Sequence, residues 1–486
     1  MLHIKEEAAR CLLCQDAPCT KACITGDPAR AIRAIRFDNI KNAGRWVADC
    51  SDADLERAEQ ACIHYDQPVR IRELLKELRQ SSCSLPPAPC PQDRGLLAIT
   101  FCGIRCENPF FLASSAVCTN YEMVARAFDM GWGGVFYKTI CKQDIREVSP
   151  RFDAVKEGTS FAGFRNMEQL SENPYEVDFD ILKRLKQNYP KKVVIASIMG
   201  QFEEEWIELA KMAEFAGCDA VELNFSCPQM RLAGMGSDVG QDHELVTAYT
   251  AYVKQNVKIP IIPKMTPNIT HMKEPALGAY FAGADAISAI NTIKSITFSP
   301  EAEVSEKKTV SGYSGRAVKP IAQRFILELA QNNIMRGLEL SGIGGIETWR
   351  DALEYIQIGC RNVQVCTAVM EYGYRIIDDL ILGLQTYMAE RGIERLEDLV
   401  GEQLPSFVLP SELDRETMVL PKIDRDRCMG CGRCYISCTD GGHQAISFDP
   451  DTREPHIIGQ KCVGCHLCRL VCPTGAIGLS RRFKKQ

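Results

Sequence analysis

Between residues about 96 and 392 the chain alternates two hydrophobic periods. Short apolar runs rich in β-formers lie at 110–115, 134–139, 193–199, 220–225, 259–265, 286–291, 338–342 and 362–366. Patterns with the 3.6-residue period of a helix separate most of them, for example at 203–217, 244–257, 320–332 and 348–359. The fragment Ala-Gly-x-Asp-Ala recurs at 216–220 and 282–286, each time marking a helix end and a strand start. Eight strand–helix units predict an α/β fold, a (β/α)8 barrel, over residues 94–392.

The flanks read differently. Helical patterns at 28–36, 53–62 and 69–78 predict a small helical N-terminal domain over residues 1–93. It ends in Ser-Ser-Cys-Ser-Leu-Pro-Pro-Ala-Pro-Cys-Pro-Gln at 81–92, a linker by its prolines. Residues 393–427 read as a linker with a short helix, and 428–486 as a separate C-terminal domain.

Polar residues follow the apolar runs: Ser114, Lys138, Asn224, Lys264, Asn291, Gly344 and Gly345. In a barrel of this kind, the points where strands emerge form the active-site rim. The run ending at Phe225 leads into Ser226, Cys227 and Pro228. A cysteine there is a candidate proton donor; the plainer alternative is a small apolar residue at a strand end. The loop-like stretch 234–240 could close over a substrate. Gly342-Ile-Gly344-Gly345-Ile346 follows the seventh run and precedes a helix, so its amides could cradle phosphate. It lacks the G-x-G-x-x-G spacing, and no NAD(P) fingerprint occurs elsewhere.

Charge and cysteine content narrow the classes. A net charge of −6 does not suggest a nucleic-acid partner. No apolar run approaches the roughly 20 residues of a membrane span. The first residues carry no signal-peptide core, so a reducing, cytoplasmic location is expected. There, 24 cysteines point to metal or redox sites rather than disulfides. Cys428, Cys431, Cys434, Cys438 and then Cys462, Cys465, Cys468, Cys472-Pro473 repeat C-x2-C-x2-C-x3-C. That is the bacterial ferredoxin pattern for two [4Fe–4S] clusters, in which the fourth cysteine of each run ligates the other cube. Cys428, Cys431, Cys434 and Cys472 would hold one, and Cys462, Cys465, Cys468 and Cys438 the other. Cys11, Cys14, Cys19 and Cys23 are spaced C-x2-C-x4-C-x3-C and could wrap one cluster or one zinc. Cys50 and Cys62 are left without close companions.

Leu112-Ala-Ser-Ser, Gly131-Trp-Gly-Gly, Lys138-Thr139, Asn224-Phe-Ser-Cys-Pro, Lys264-Met-Thr-Pro-Asn, Ile290-Asn-Thr-Ile, Gly312-Tyr-Ser-Gly and Gly342-Ile-Gly-Gly-Ile occur together and in this order. The set resembles the dihydropyrimidine dehydrogenase family, and within it the bacterial pyrimidine-reducing subunits. The barrel alone would also resemble dihydroorotate dehydrogenases. The resemblance covers about residues 96–482 and implies FMN held by Ser114, Lys138, Thr139, Lys264, Gly315, Gly344, Gly345, Cys366 and Thr367. It implies a pyrimidine at Asn166, Glu168, Asn224, Ser226, Asn291 and Thr292, with Cys227 as general acid. Asparagines offer both a donor and an acceptor, which suits the alternating edge of uracil. Reduced FMN would pass hydride to C6 while Cys227 protonates C5.

The family also implies an electron source: an FAD- and NAD(P)H-binding flavoprotein partner, in an oligomer. Subunits of this type begin near the barrel, so the first 90 or so residues are an addition. They resemble the N-terminal cluster domain of the full-length enzymes and imply one cluster. Leu75 stands where a glutamine ligand to a second is expected. Two other functions compete: a dihydroorotate dehydrogenase-like enzyme, and an electron-transfer module whose barrel no longer catalyses. The intact set Lys138, Asn224, Cys227, Lys264 and Asn291 argues against the module.

Overall fold

The computed structural model describes residues 2–64, 66–81, 94–230, 234–298 and 307–485. Most of the proline-rich linker expected at 81–92 lies outside the described residues. Two compact units result, residues 8–405 and residues 406–486 with 1–7.

In the first unit a hairpin, β1 (Ile99–Phe101) and β2 (Ile104–Cys106), precedes the barrel. The eight barrel strands are β3 (Phe110–Leu112), β4 (Gly134–Phe136), β7 (Val193–Ile198), β8 (Ala220–Asn224), β9 (Ile261–Lys264), β10 (Ala286–Ala289), β13 (Glu339–Ile343) and β14 (Cys360–Val365). They pair in parallel, β3 to β4, β7, β8, β9, β10, β13 and β14, and β14 closes on β3. All eight expected runs are therefore strands of one closed barrel. Their side chains are buried along almost their whole length, as expected where helices cover a parallel sheet and side chains fill its interior.

The recurring Ala-Gly-x-Asp-Ala has a structural reason. Helices Glu203–Phe215 and Lys273–Phe281 each end before a glycine in the left-handed region, Gly217 at φ +85° and Gly283 at φ +92°. The aspartate that follows ties the incoming strand to its neighbour. Asp219 accepts from the Val194 amide at 2.7 Å and from Lys186 Nζ at 2.7 Å. Asp285 accepts from the Ile261 amide at 2.8 Å and from Lys254 Nζ at 2.7 Å.

Several runs stop short of their expected ends. β4 stops at Phe136 and β3 at Leu112, so Lys138, Thr139 and Ser114 lie beyond the strands. Over this rim sits a four-stranded antiparallel sheet that the sequence pattern did not announce. It comprises β5 (Phe152–Glu157), β6 (Ser160–Asn166), β11 (Ile293–Ser295) and β12 (Ser311–Ser314), in the order β11-β12-β6-β5.

After a first helix, Leu2–Ala9, the N-terminal helices are Pro18–Ala22, Pro28–Arg36, Ile40–Ala43, Asp52–Gln60 and Ile71–Ser81. Asp27 caps Pro28–Arg36 by accepting from the Arg30 amide at 3.0 Å, with proline at the first helical position. This segment packs on the barrel. Arg33 Nε meets Asp379 at 2.7 Å, Asn42 donates to Thr386 at 2.9 Å, and Trp349 Nε1 donates to the Asp38 carbonyl at 3.0 Å.

The short helix expected within 393–427 is instead three 3-10 turns, Leu396–Leu399, Leu404–Ser406 and Pro410–Glu412. Pro405 and Pro410 deprive a helix of amide donors there. In the second unit β15 (Thr417–Met418) pairs with β20 (Phe483–Lys484), β16 (Pro421–Ile423) with β19 (Ile477–Leu479), and β17 (Ile446–Asp449) with β18 (Glu454–Ile457). Helices Arg433–Gly441 and Leu467–Leu470 carry Cys434, Cys438 and Cys468 into its small core.

Candidate active site

A cavity of about 1000 Å³ opens at the strand ends under the antiparallel sheet. It gathers Ser114, Lys138, Thr139, Asn166, Glu168, Asn224, Cys227, Lys264, Asn291, Thr292, Gly315, Gly344, Gly345, Cys366 and Thr367. Of the expected barrel-site residues only Ser226 stands behind the wall, fully buried. Its hydroxyl donates to Asn224 Oδ1 at 2.7 Å and accepts from Asn291 Nδ2 at 2.9 Å. Ser226 thus fixes how two cavity asparagines face the space.

The chain of bonds continues inward. Asn224 Nδ2 donates to Thr139 Oγ1 at 2.9 Å, and that oxygen lies 3.0 Å from both Ser197 Oγ and Ser114 Oγ. Each lysine has a buried carboxylate. Lys138 Nζ lies 3.0 Å from Glu168, and Lys264 Nζ lies 3.4 Å from Glu222. Glu222 is fully buried in the barrel and also accepts from Ser197 at 2.9 Å and Ser288 at 2.8 Å. A charge inside the apolar run Val221–Leu223 was the signal that could have flagged it.

Cys227 is buried just past β8, and burial raises its thiol above the ordinary range despite the nearby Lys138 and Lys264. At neutral pH it keeps its proton. The stretch expected as an open loop contains a helical turn, Ser237–Gly240, whose Ser237 amide donates to the Cys227 carbonyl at 2.9 Å. Gly236 sits at φ +59°, and a Cβ there would come within 2.4 Å of that carbonyl. The glycine lets this turn close on the cysteine.

At the other end of the cavity Gly315, Gly344 and Gly345 all have positive φ. A Cβ on Gly345 would stand 2.9 Å from the Gly315 carbonyl, so the two loops touch through bare backbone. Ser314 Oγ and Thr367 Oγ1 lie 2.9 Å apart beside them. Small residues, bare amides and hydroxyls make a cradle that fits a phosphate. Gln364, which the sequence reading passed over, also lines the cavity. Its Nε2 donates to Ser341 at 2.8 Å, while its buried Oε1 has no partner among the described residues. That orphaned acceptor fits a ring N–H of a bound flavin.

The cysteines of the second unit group as the crossed pattern predicts for one cube. Cys438, Cys462, Cys465 and Cys468 line a cavity of about 350 Å³ with Pro421 and Ile446. Cys434 lies in the field of Cys428 and Cys431. Burial pushes the Cys472 thiol up, but Thr474 and the amides of Ala476 and Ile477 outweigh it and lower its pKa. Among the described residues no three ligand-type side chains stand close enough to hold a single ion. The thiolates of a cube each take a different iron, so they stand wider than ligands to one ion.

The N-terminal cysteines have neighbours from beyond their own run. Burial raises the Cys11 and Cys19 thiols, and each also feels Cys14 and Cys62. Cys23 turns instead to Cys50, Sγ to Sγ 3.3 Å. Cys62, which follows the Asp52–Gln60 helix, stands near Cys11 and Cys19. Consecutive spacing could not reveal a partner brought in by helix packing.

Residues 96–388 match the dihydroorotate dehydrogenase family, and residues 421–479 match the 4Fe-4S dicluster domain. The chain is 52% identical over 397 residues to the NAD-dependent dihydropyrimidine dehydrogenase subunit PreA of Escherichia coli, covering 80% of this chain and 97% of that one. It is 37% identical over 336 residues to the chloroplastic dihydropyrimidine dehydrogenase (NADP(+)) of Arabidopsis thaliana, 65% of this chain and 79% of that one. It is 35% identical over 309 residues to the catalytic subunit of dihydroorotate dehydrogenase B (NAD(+)) of Pyrococcus horikoshii, 63% of this chain and 97% of that one. No described helix is long and apolar enough to cross a membrane. With a lysine- and asparagine-lined cavity at the mouth of its barrel and a dicluster domain following it in the chain, the chain belongs to the dihydroorotate dehydrogenase family of oxidoreductases, in its dihydropyrimidine dehydrogenase branch.

Proposed function

We propose that this chain reduces the 5,6 double bond of uracil or thymine, or runs the reverse oxidation, as the catalytic subunit of a cytoplasmic dihydropyrimidine dehydrogenase. The observation that carries it is a protonated, buried Cys227 facing the same cavity as the asparagines and the glycine cradle. FMN, when bound, supplies or accepts the hydride. Gly315, Gly344, Gly345 and Thr367 would hold its phosphate, with Cys366 beside them. Ser114, Thr139, Lys138, Lys264 and Gln364 would surround its ring. Asn166, Glu168, Asn224, Asn291 and Thr292 orient the pyrimidine through donors and acceptors, and Ser226 positions two of them. Cys227 donates its proton to C5 in the reducing direction and takes it back in the other.

Both lysines on the cavity wall are matched by carboxylates. Their charge is spoken for, which favours a neutral pyrimidine over the carboxylate of orotate. Assaying uracil and dihydroorotate side by side tests this. Cys227→Ala keeps flavin and iron but loses about 10²–10⁴-fold in uracil reduction. Turnover within a few-fold of wild type would make Cys227 structural.

Electrons would reach the site through [4Fe–4S] clusters. Two sit on the tail ligand sets Cys428, Cys431, Cys434, Cys472 and Cys438, Cys462, Cys465, Cys468. One sits on Cys11, Cys14, Cys19 and Cys62. The donor would be a flavoprotein subunit carrying FAD and an NAD(P)H site.

A further inference from the structure

A thiol that gives its proton to carbon must be refilled before the next turnover. Cys227 is buried in the wall of the cavity, where a bound substrate would lie between it and the opening. The groups whose charge reaches it are Lys138, Lys264, Glu147 and Cys141. Lys138 and Lys264 are held by Glu168 and Glu222. Cys141 is buried, and burial raises its thiol to about 12. Glu147 differs from all of these.

Glu147 precedes β5 and hangs from one hydrogen bond. Its Oε1 accepts from the Gln169 amide at 2.6 Å. Its other oxygen, Oε2, is buried and has no partner among the described residues. A buried carboxylate oxygen left so is costly, whereas a carboxyl group with its proton there is a donor awaiting an acceptor. Around it stand Lys138, Glu168 and Arg151. Burial outweighs those cations and keeps the Glu147 carboxyl above its usual range.

A second cavity, of about 850 Å³, lies on this side of the site. Gln143, Asp144, Arg146 and Gln169 line it together with Met230 and Met235, which flank the segment after Cys227. Gln169 borders both cavities and is the residue that holds Glu147. The carboxyl therefore hangs from the one residue, among those described, that borders both the second cavity and the reacting cavity.

We propose that Glu147 is the relay residue that returns a proton to Cys227 after each reduction, drawing it from the second cavity. The proposal rests on Cys227 being the acid. The balance is simple. Cys227 S–H breaks as C5–H forms, leaving a thiolate. Glu147 O–H then breaks as the S–H is restored, directly or through one water. The resulting carboxylate takes a proton from water in the second cavity. Dihydropyrimidine oxidation runs the same steps backwards. A carboxylic acid is a stronger acid than a raised thiol, so the transfer to the thiolate is downhill.

The test uses the full-length, flavin- and iron-loaded chain with uracil and dithionite-reduced viologen. Glu147→Gln keeps the acceptor for the Gln169 amide but has no titratable proton. The first turnover starts from protonated Cys227, so its rate should stay within about twofold of wild type. Steady-state kcat should fall at least about tenfold near pH 8, recover toward pH 6, and rise on adding a small carboxylic acid. The KM for uracil should hold, and Glu147→Asp should restore part of the loss. Equal steady-state rates across pH would overturn the relay, and so would an equal loss in the first turnover. Cys227→Ala, run in parallel, separates the two ideas: if it turns over, the acid was misassigned and the relay falls with it.

Discussion

At the scale of single residues, the site is built from buried charges that hold one another. Glu222 has no exposed surface, and three neighbours aim their polar atoms at it. Replacing it by alanine would leave Lys264 as an unmatched cation inside the barrel. The expected cost is about 3–5 kcal/mol, read as a lower urea midpoint and weaker flavin retention. Glu222→Gln should cost less, since it keeps an acceptor for the serines. Glu347, beside the glycine cradle, is pushed up to about 7 by burial, with Glu371 adding to it. Its folded form prefers the proton, so its stabilising effect is full below about 4.5 and is lost as pH rises through about 7. The window is worth about 3 kcal/mol. Urea unfolding of the flavin-free chain should therefore show stability declining between pH 5 and 8, and Glu347→Gln should flatten that slope.

Elements show why part of this was legible in the sequence. The barrel strands are short apolar runs, such as Val193–Ile198 and Ala220–Asn224, buried at every position. Nothing on the surface blurs such a run, and a glycine and an aspartate mark two of its starts. The strand-end position then brought Lys138, Asn224, Cys227 and Lys264 into view together. The sheet over the mouth left no comparable trace. β5 is exposed along most of its length, and β11 and β12 have only three and four residues. Their order comes from partners far along the chain, which no local pattern records. Gly163 illustrates this: a Cβ on it would fall 1.6 Å from the Tyr313 hydroxyl. Gly163→Ala should displace that tyrosine from the cavity wall, cost about 1–3 kcal/mol in thermal melts, and loosen flavin binding. Cys62 is a similar case, because helix packing brings it near Cys11 and Cys19. Cys62→Ser should lower iron by about four per chain, while Cys23→Ser should leave it near wild type.

The whole molecule joins a reacting cavity to cysteine-rich units and, among the matches found, to no dinucleotide-binding domain. Purified alone, it should not reduce uracil with NADH or NADPH, but should do so with reduced viologen or with the flavoprotein supplied. Brisk nicotinamide-driven turnover by the isolated chain would show that a nucleotide site had been overlooked. The N-terminal helices are bound to the barrel through Arg33, Asn42 and Trp349. Point changes at the cysteines are thus a cleaner way to cut the electron path than removing the segment.

The pairing of β6 with β12 has a consequence for how the protein comes into being. Arg165 and Ser311, joined at 2.6 Å, lie 146 residues apart in the chain. Bringing such distant segments together costs loop-closure entropy, which a preformed scaffold lowers. Strands β6 and β12 leave from the strand ends of the barrel, so a formed barrel brings them within reach, and the roof is expected to condense on it. In pulse-labelled hydrogen exchange during refolding, amides of 160–166 and 311–314 should gain protection after those of the barrel. On this order the newborn chain passes through an open-topped stage in which the cavity lies uncovered.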